Sequence, residues 1–443
     1  MKINYQQITD KIQRLPIEEL ALQSGFEKRK PRKIDGLNFV AGFFMMLQTG
    51  GNSLSDWAKA ISKLIVGLVS KQAVEKKLQF RQEAFAYQVL TAALKQSLNL
   101  GSHIQESKLF RFFNKVYLED STCLRLPSCL ASFFPGPHSS KGPCASLRIQ
   151  LRLELLNESY EGFYLQPYRD IDQKHAGVIV SILQAGDLVI RDLGYWAIKV
   201  FRAIVEKQAY FLTRYKYGTV CLDADSGQRI DLLQVLKKLD RKGIQVLDIP
   251  ILLGKEDQLA VRLVAIKLTQ EVYLTRRRKA EKDRCQSINH SKEYMELLGW
   301  AIFITNVSKQ VWTFQNLIKA YRFRWRIEIV FKCWKSKFYL KQLFADKKSI
   351  SLARVTITCL LFLAFLTAFF VPWAAYFIRN VYRYTQKWVS ILKFADFVKD
   401  RFLDFITTAN LARFIPEVAY YCTYEKRKSR PNHLELLYTL NLS

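Results

Sequence analysis

Leu147-Arg148-Ile149-Gln150-Leu151-Arg152-Leu153-Glu154-Leu155 alternates apolar and polar residues without a fault, the period-two pattern of a β-strand. The turn residues Asn157-Glu158-Ser159 follow, and Phe163-Tyr164-Leu165 forms the return strand. Upstream, Phe113-Asn114-Lys115-Val116-Tyr117-Leu118-Glu119-Asp120 alternates as well, which predicts three antiparallel strands in a row with Asp120 at the end of the first. Downstream come a short helical stretch near 174–184, a strand Leu188-Val189-Ile190-Arg191, a helix near 195–207 and a strand Ala209-Tyr210-Phe211-Leu212-Thr213. This order, β-β-β-α-β-α-β, describes an α/β fold with a mixed sheet flanked by helices. Residues 216–298 interrupt it with short alternating stretches and the cluster Arg276-Arg277-Arg278-Lys279, and read as an inserted β-rich subdomain. The main pattern resumes at Trp300-Ala301-Ile302-Phe303-Ile304-Thr305-Asn306 and runs into a long helix from about 310 to 338.

Outward from this core both ends read as helical. Leu54, Trp57, Ala58, Ile61, Leu64 and Ile65 recur at spacings of three and four, and Ser53 with Asp56 resembles an N-terminal cap. The break Val66-Gly67-Leu68-Val69 precedes a second helix starting at Ser70. The pair is compatible with a helix-turn-helix presenting Lys71, Lys76 and Lys77, and equally with an ordinary helical hairpin. The basic run Lys28-Arg29-Lys30-Pro31-Arg32-Lys33 is either a phosphate-contacting arm or a solvated linker. Residues 355–378 carry no charge, and a helix of that length spans about 36 Å, enough for a bilayer core. Pro372, predicted to end this helix, and the lack of another such segment favour a helix buried against protein, with no membrane partner. The organisation expected is a helical N-terminal DNA-binding domain (1–110), a core in two parts (111–215 and 299–378) around the insertion (216–298), and a helical C-terminal region (379–443) suited to dimerisation.

The chain holds 68 Lys and Arg against 39 Asp and Glu, a net charge of +29, which favours a polyanionic partner. Eight cysteines, none in a C-x-x-C pair, make structural zinc unlikely on spacing, and without an apolar leader they read as reduced cytosolic thiols. The five histidines form no H-E-x-x-H or H-x-x-R, and no G-x-x-x-x-G-K-[ST] occurs, so zincin protease, tyrosine recombinase and P-loop ATPase lose their signatures.

The chemistry-bearing segment is Tyr321-Arg322-Phe323-Arg324-Trp325-Arg326-Ile327-Glu328-Ile329-Val330-Phe331-Lys332-Cys333-Trp334-Lys335. On one continuous helix, Tyr321, Arg324, Glu328 and Lys335 fall at about 0°, −60°, −20° and −40°, opposite Phe323, Ile327, Val330 and Trp334. Periodicity alone leaves Glu328 equally readable as a surface ion-pair partner of Arg324 or Lys332. The spacing Tyr321-x2-Arg324-x3-Glu328-x6-Lys335 resembles the Y-R-E-K signature of the DDE transposases of bacterial insertion sequences, in the insertion sequence four family. Asp120-Ser121-Thr122 resembles that family's first acidic motif, and Gly186-Asp187-Leu188-Val189-Ile190-Arg191-Asp192-Leu193-Gly194-Tyr195-Trp196 its second, with Asp192 the matching acid. Trp196 and Leu193 depart from the usual pattern, without removing an acid.

The resemblance implies a ribonuclease H-like core in which Asp120, Asp192 and Glu328 hold two Mg²⁺ or Mn²⁺ ions. Two such ions, roughly 4 Å apart, suit in-line displacement at a phosphodiester. It implies cleavage of double-stranded DNA at the terminal inverted repeats and transfer of the 3′-hydroxyl into target DNA, with excision through a hairpin in some members. Tyr321, Arg324, Lys332 and Lys335 would bind the DNA end, Arg276, Arg277 and Arg278 its backbone, and a homodimer would bridge two ends in the cytoplasm, at the nucleoid. Glu119 and Asp187 are rival acids; period two places Glu119 on the opposite sheet face from Asp120. A nuclease or resolvase without strand joining, and an inactive DNA-binding descendant, are the alternatives.

Overall fold

The computed structural model describes residues 15–29, 33–97, 109–140, 142–282, 290–344, 350–408 and 410–425. Lys30, Pro31 and Arg32 of the basic run, Cys285 and residues 426–443 lie outside these. In chain order come α1 (Ile17–Gln23), α2 (Gly36–Gln48), α3 (Leu54–Ile65), α4 (Lys71–Glu75) and α5 (Glu83–Ser97), then strands β1 (Val116–Leu126), β2 (Ala145–Glu154) and β3 (Ser159–Pro167). Next are β4 (Leu188–Arg191), α6 (Ile198–Glu206), β5 (Tyr210–Arg214), β6 (Cys221–Asp223), α7 (Leu232–Arg241), β7 (Val246–Leu253) and β8 (Leu259–Lys267). They are followed by α8 (Gln270–Glu281), α9 (Lys292–Leu297), β9 (Trp300–Thr305), α10 (Phe314–Arg322) and α11 (Trp325–Ser336). The helix α12 (Leu352–Thr385), α13 (Ile391–Asp400), α14 (Phe402–Thr407) and α15 (Ile415–Tyr421) complete the described chain.

The chain forms two compact units. One comprises residues 1–107, 120–170 and 325–443, the other 108–119 and 171–324. In the first, strand order is β3-β2-β1, with β2 and β3 antiparallel from Leu147↔Pro167 to Glu154↔Ser159. Its core is helical. α3 opens on a capping box in which the Ser53 hydroxyl accepts from the Asp56 amide and Asp56 accepts in return, as the sequence predicts. Helix α12 is apolar because neighbours cover it: Phe365 packs on Phe44 and Phe338, Phe362 on Trp334, and Trp373 on Phe405. Of its most apolar window, 78% is buried inside the protein.

In the second unit the order is β1-β4-β5-β9-β8-β7-β6, with β1, β4 and β5 parallel and the others antiparallel. Tyr117, Val189, Phe201, Phe211, Leu236, Leu263 and Ile304 belong to one buried cluster there. Strand β1 enters both runs, Val116–Glu119 in the second unit and 120–126 in the first. The order β3-β2-β1-β4-β5, with parallel β1, β4 and β5, is that of a ribonuclease H-like core.

Four local expectations are corrected. Asp120 lies within β1, because Thr122, Leu124 and Leu126 continue the buried alternation beyond it. The long signature helix is two helices: Phe323 and Arg324 donate their amides to Ala320 and Tyr321, three residues back, and Phe323 packs edge-on against Phe110. Pro372 ends no helix; residues 366–370 form a π-helical turn before it, which removes the ordinary i→i−4 pairing that proline would break. The insertion is built of α7, α8 and α9 as much as of strands, and β6–β8 extend the same sheet through β9. Helix α4, the second helix read from Ser70, is only 5 residues long.

Candidate active site

Asp192 stands directly after β4, at the C-terminal end of a parallel strand, where open α/β sheets place ligands. Arg191 precedes it, buried, and donates from Nε to Glu119 Oε2 at 2.8 Å, closing the last register pair of β1 and β4. The turn after Asp192 is close-packed at Gly194, where a Cβ would meet Asp172 Oδ2 at 3.0 Å. Trp196, the larger aromatic of the second motif, is a core residue, edge-on to Phe201 at 5.3 Å.

Tyr321, at the end of α10, donates its hydroxyl to Asp192 Oδ1 at 3.3 Å. Burial, and then the Asp192 charge, push the phenol well above its ordinary pKa, so it stays a donor. The Arg324 guanidinium sits 5.9 Å from the Tyr321 ring centroid. Second motif and signature, 129 residues apart, therefore meet within one unit.

The other two acids lie in the first unit. Asp120 is half-buried in β1, with Oδ1 accepting from the Ser121 amide at 2.8 Å. Both rivals have structural roles: Glu119 is buried against Arg191, and Asp187 is buried and accepts from the Gln184 amide at 3.0 Å. Glu328 and Lys335, seven residues apart on α11, are both half-buried on one helical face. The one-face arithmetic survives for this pair but not across the break at Arg324. Burial and Lys341 lower the Lys335 pKa, against an upward pull from Cys123 and Asp120, which places Lys335 within the electrostatic reach of Asp120. Lys332 is exposed. Among the described residues, no three His, Cys, Asp or Glu side chains are gathered closely enough to hold a metal ion. The donor chemistry of Asp120, Asp192 and Glu328, carboxylate oxygens without thiol or imidazole, fits a hard cation such as Mg²⁺ or Mn²⁺.

The basic cluster divides. Arg276 and Lys279, on one face of α8, line a cleft of about 430 Å³ together with Arg214, Tyr217, Tyr294 and Trp300. Burial, and then the Arg214 charge, push Arg276 down to about 10, and its Nη1 donates to the Trp300 carbonyl. Arg277 and Arg278 are exposed, and Arg277 pairs with Glu281 at 2.8 Å. Arg214, Tyr217, Tyr294 and Trp300 were not singled out as site residues in sequence, because they are far from the cluster along the chain and only the fold brings them to it. Leu193 also lines the cleft, which adjoins the turn after Asp192.

The mixed sheet has the strand order of a ribonuclease H-like core, with Asp192 at the end of its second parallel strand and hydrogen-bonded to Tyr321. Residues 113–363 match the transposase DDE domain family, more than half of the chain, and the chain belongs to that family as an enzyme of DNA transposition. It is 28% identical over 345 residues to the transposase for insertion sequence element IS231B of Bacillus thuringiensis subsp. berliner, covering 73% of this chain and 70% of that protein. It is 25% identical over 350 residues to the transposase for insertion sequence element IS1151 of Clostridium perfringens, covering 74% and 72%. A solved piggyBac transposase synaptic complex with hairpin DNA aligns over 96% of this chain and 84% of its own, at 10% identity and a TM-score of 0.41.

Proposed function

We propose that this transposase cleaves DNA at the terminal inverted repeats of its element and joins the exposed 3′-hydroxyl to target DNA, with Asp120, Asp192 and Glu328 as its metal-holding acids. The observation that carries the reading is the Tyr321–Asp192 hydrogen bond, which joins two motifs found independently in the sequence. A bound pair of Mg²⁺ or Mn²⁺ ions would supply activation of the attacking oxygen and stabilisation of the leaving one. The protonated Tyr321 holds Asp192 in orientation. Arg324 and Lys335 offer positive charge to DNA phosphates, and the cleft of Arg214, Arg276 and Lys279, with its aromatic walls, suits a nucleotide of the DNA end.

In cleavage, water adds its oxygen to phosphorus as the P–O3′ bond breaks, leaving a 3′-hydroxyl. In joining, that hydroxyl bonds to a target phosphorus and a target 3′-oxygen leaves. The N-terminal helices would contribute DNA contacts, and two copies would bridge two ends in the cytoplasm, where the nucleoid DNA lies. The test is Asp192→Asn with DNA carrying the element's own inverted repeats: loss of Mg²⁺-dependent cleavage and joining with DNA binding retained supports the reading, and cleavage equal to wild type refutes it. Cleavage by the wild type without joining would assign a nuclease instead.

A further inference from the structure

Arg326 lies two residues before Glu328 and is 2% exposed. Its Nη2 donates to both carboxylate oxygens of Glu158, at 2.8 and 2.7 Å, within the first unit. Glu158 occupies the tip of the β2–β3 hairpin at φ 52°, a left-handed conformation that a residue with a side chain adopts rarely. The same hairpin touches α11 again eight residues on, where Trp334 Nε1 donates to the buried Tyr160 hydroxyl at 3.3 Å and the two rings meet edge-on. Two buried polar contacts thus brace one side of α11.

At about 100° per residue, Arg326 is roughly 200° from Glu328 and 180° from Lys335 around the helix axis. The hairpin therefore grips the back of the helix whose front carries the acid and the base. A buried charge pair is geometrically exacting, because either partner left alone is costly. We infer that Glu158 and Arg326 are positioning residues that set the rotation of α11 and so aim Glu328 at the metal and Lys335 at DNA. This inference rests on the function proposed above and adds to it a pair that belongs to none of its motifs.

The experiment compares wild type, Glu158→Gln, Arg326→Lys and Glu328→Gln in the full chain bound to inverted-repeat DNA. Free Mn²⁺ is read by its paramagnetic resonance signal during titration, and strand cleavage is followed in the same samples. Glu158→Gln and Arg326→Lys are expected to raise the Mn²⁺ concentration for half-occupancy by about tenfold or more, as loss of groups that hold metal ligands in place does. Excess Mn²⁺ should recover cleavage in both. Wild-type half-occupancy in both, with Mn²⁺ uptake lost in Glu328→Gln, overturns the positioning role and leaves the proposed function standing. Wild-type uptake in Glu328→Gln removes the proposed function itself. Should Glu158→Gln fail to fold, Tyr160→Phe releases the second brace without removing a charge. A severalfold rise in half-occupancy there supports the role, and no change overturns it.

Discussion

Asp192 accepts a hydrogen bond from the Tyr321 hydroxyl at 3.3 Å, and the orienting role proposed for that phenol can be tested at a single atom. Tyr321→Phe removes the hydroxyl and keeps the ring, which is edge-on to Phe303 at 5.1 Å. A hydrogen bond to a charged group is worth about 1.5–3 kcal/mol, so cleavage should fall by about 10- to 100-fold with DNA affinity preserved. A wild-type cleavage rate would show that Asp192 needs no such support. The pair Glu119–Arg191, one residue before each aspartate in sequence, makes a second prediction. Glu119→Gln strands a buried guanidinium and should destabilise the fold by about 3–5 kcal/mol, while Glu119→Leu with Arg191→Met should lie much closer to wild type in urea unfolding. Equal losses for single and double variants would contradict this account. Alternation placed Glu119 and Asp120 on opposite faces of the strand, and Glu119 is the more buried of the two. That pattern could not show Arg191 or Arg326 buried, because periodicity scores arginine as polar, and their carboxylate partners lie 72 and 168 residues away.

Helix α8 carries four consecutive basic residues that a sequence treats alike and a helix does not. Arg276 faces the aromatic cleft, where burial and Arg214 disfavour its charge and an anion would relieve it; Arg277 is exposed and neutralised by Glu281. Arg276→Ala should lower the slope of log affinity against log salt by about 1, and Arg277→Ala should leave it nearly unchanged. Binding of inverted-repeat DNA over a salt series decides, and equal slopes for the two variants would remove the distinction. Elements with strong local signals were legible: the capping box of α3, β4 with its terminal aspartate, and the core stripe Phe323, Ile327, Val330 and Trp334, each buried. The continuation of α12 through Pro372 was not, because the π turn that accommodates proline has no pattern of its own. Nor was the break at Arg324, where apolar spacing runs on unchanged while the backbone tightens into three-residue turns.

The residues proposed for the chemistry fall in both units: Asp120, Glu328 and Lys335 belong to one, Asp192, Tyr321 and Arg324 to the other. The succession of core strands along the chain was readable because alternating or apolar runs are bounded by turn residues. That the insertion strands join the same sheet through β9 was not, since pairing partners are set by tertiary contact. With a net charge of +29, DNA affinity should persist when chelation with EDTA removes divalent ions, while cleavage stops; chelation that releases DNA would make the metal a binding rather than a reaction requirement. The central claim is that three carboxylates act as one. Its direct measurement is Mg²⁺-dependent cleavage of inverted-repeat DNA by Asp120→Asn, Asp192→Asn and Glu328→Gln, each at saturating protein and compared with the triple variant. Residues that act as a unit are non-additive, so each single substitution should cost about a thousandfold or more and the triple little beyond that. A single variant cleaving within a few fold of wild type would remove that residue from the site and contradict the account.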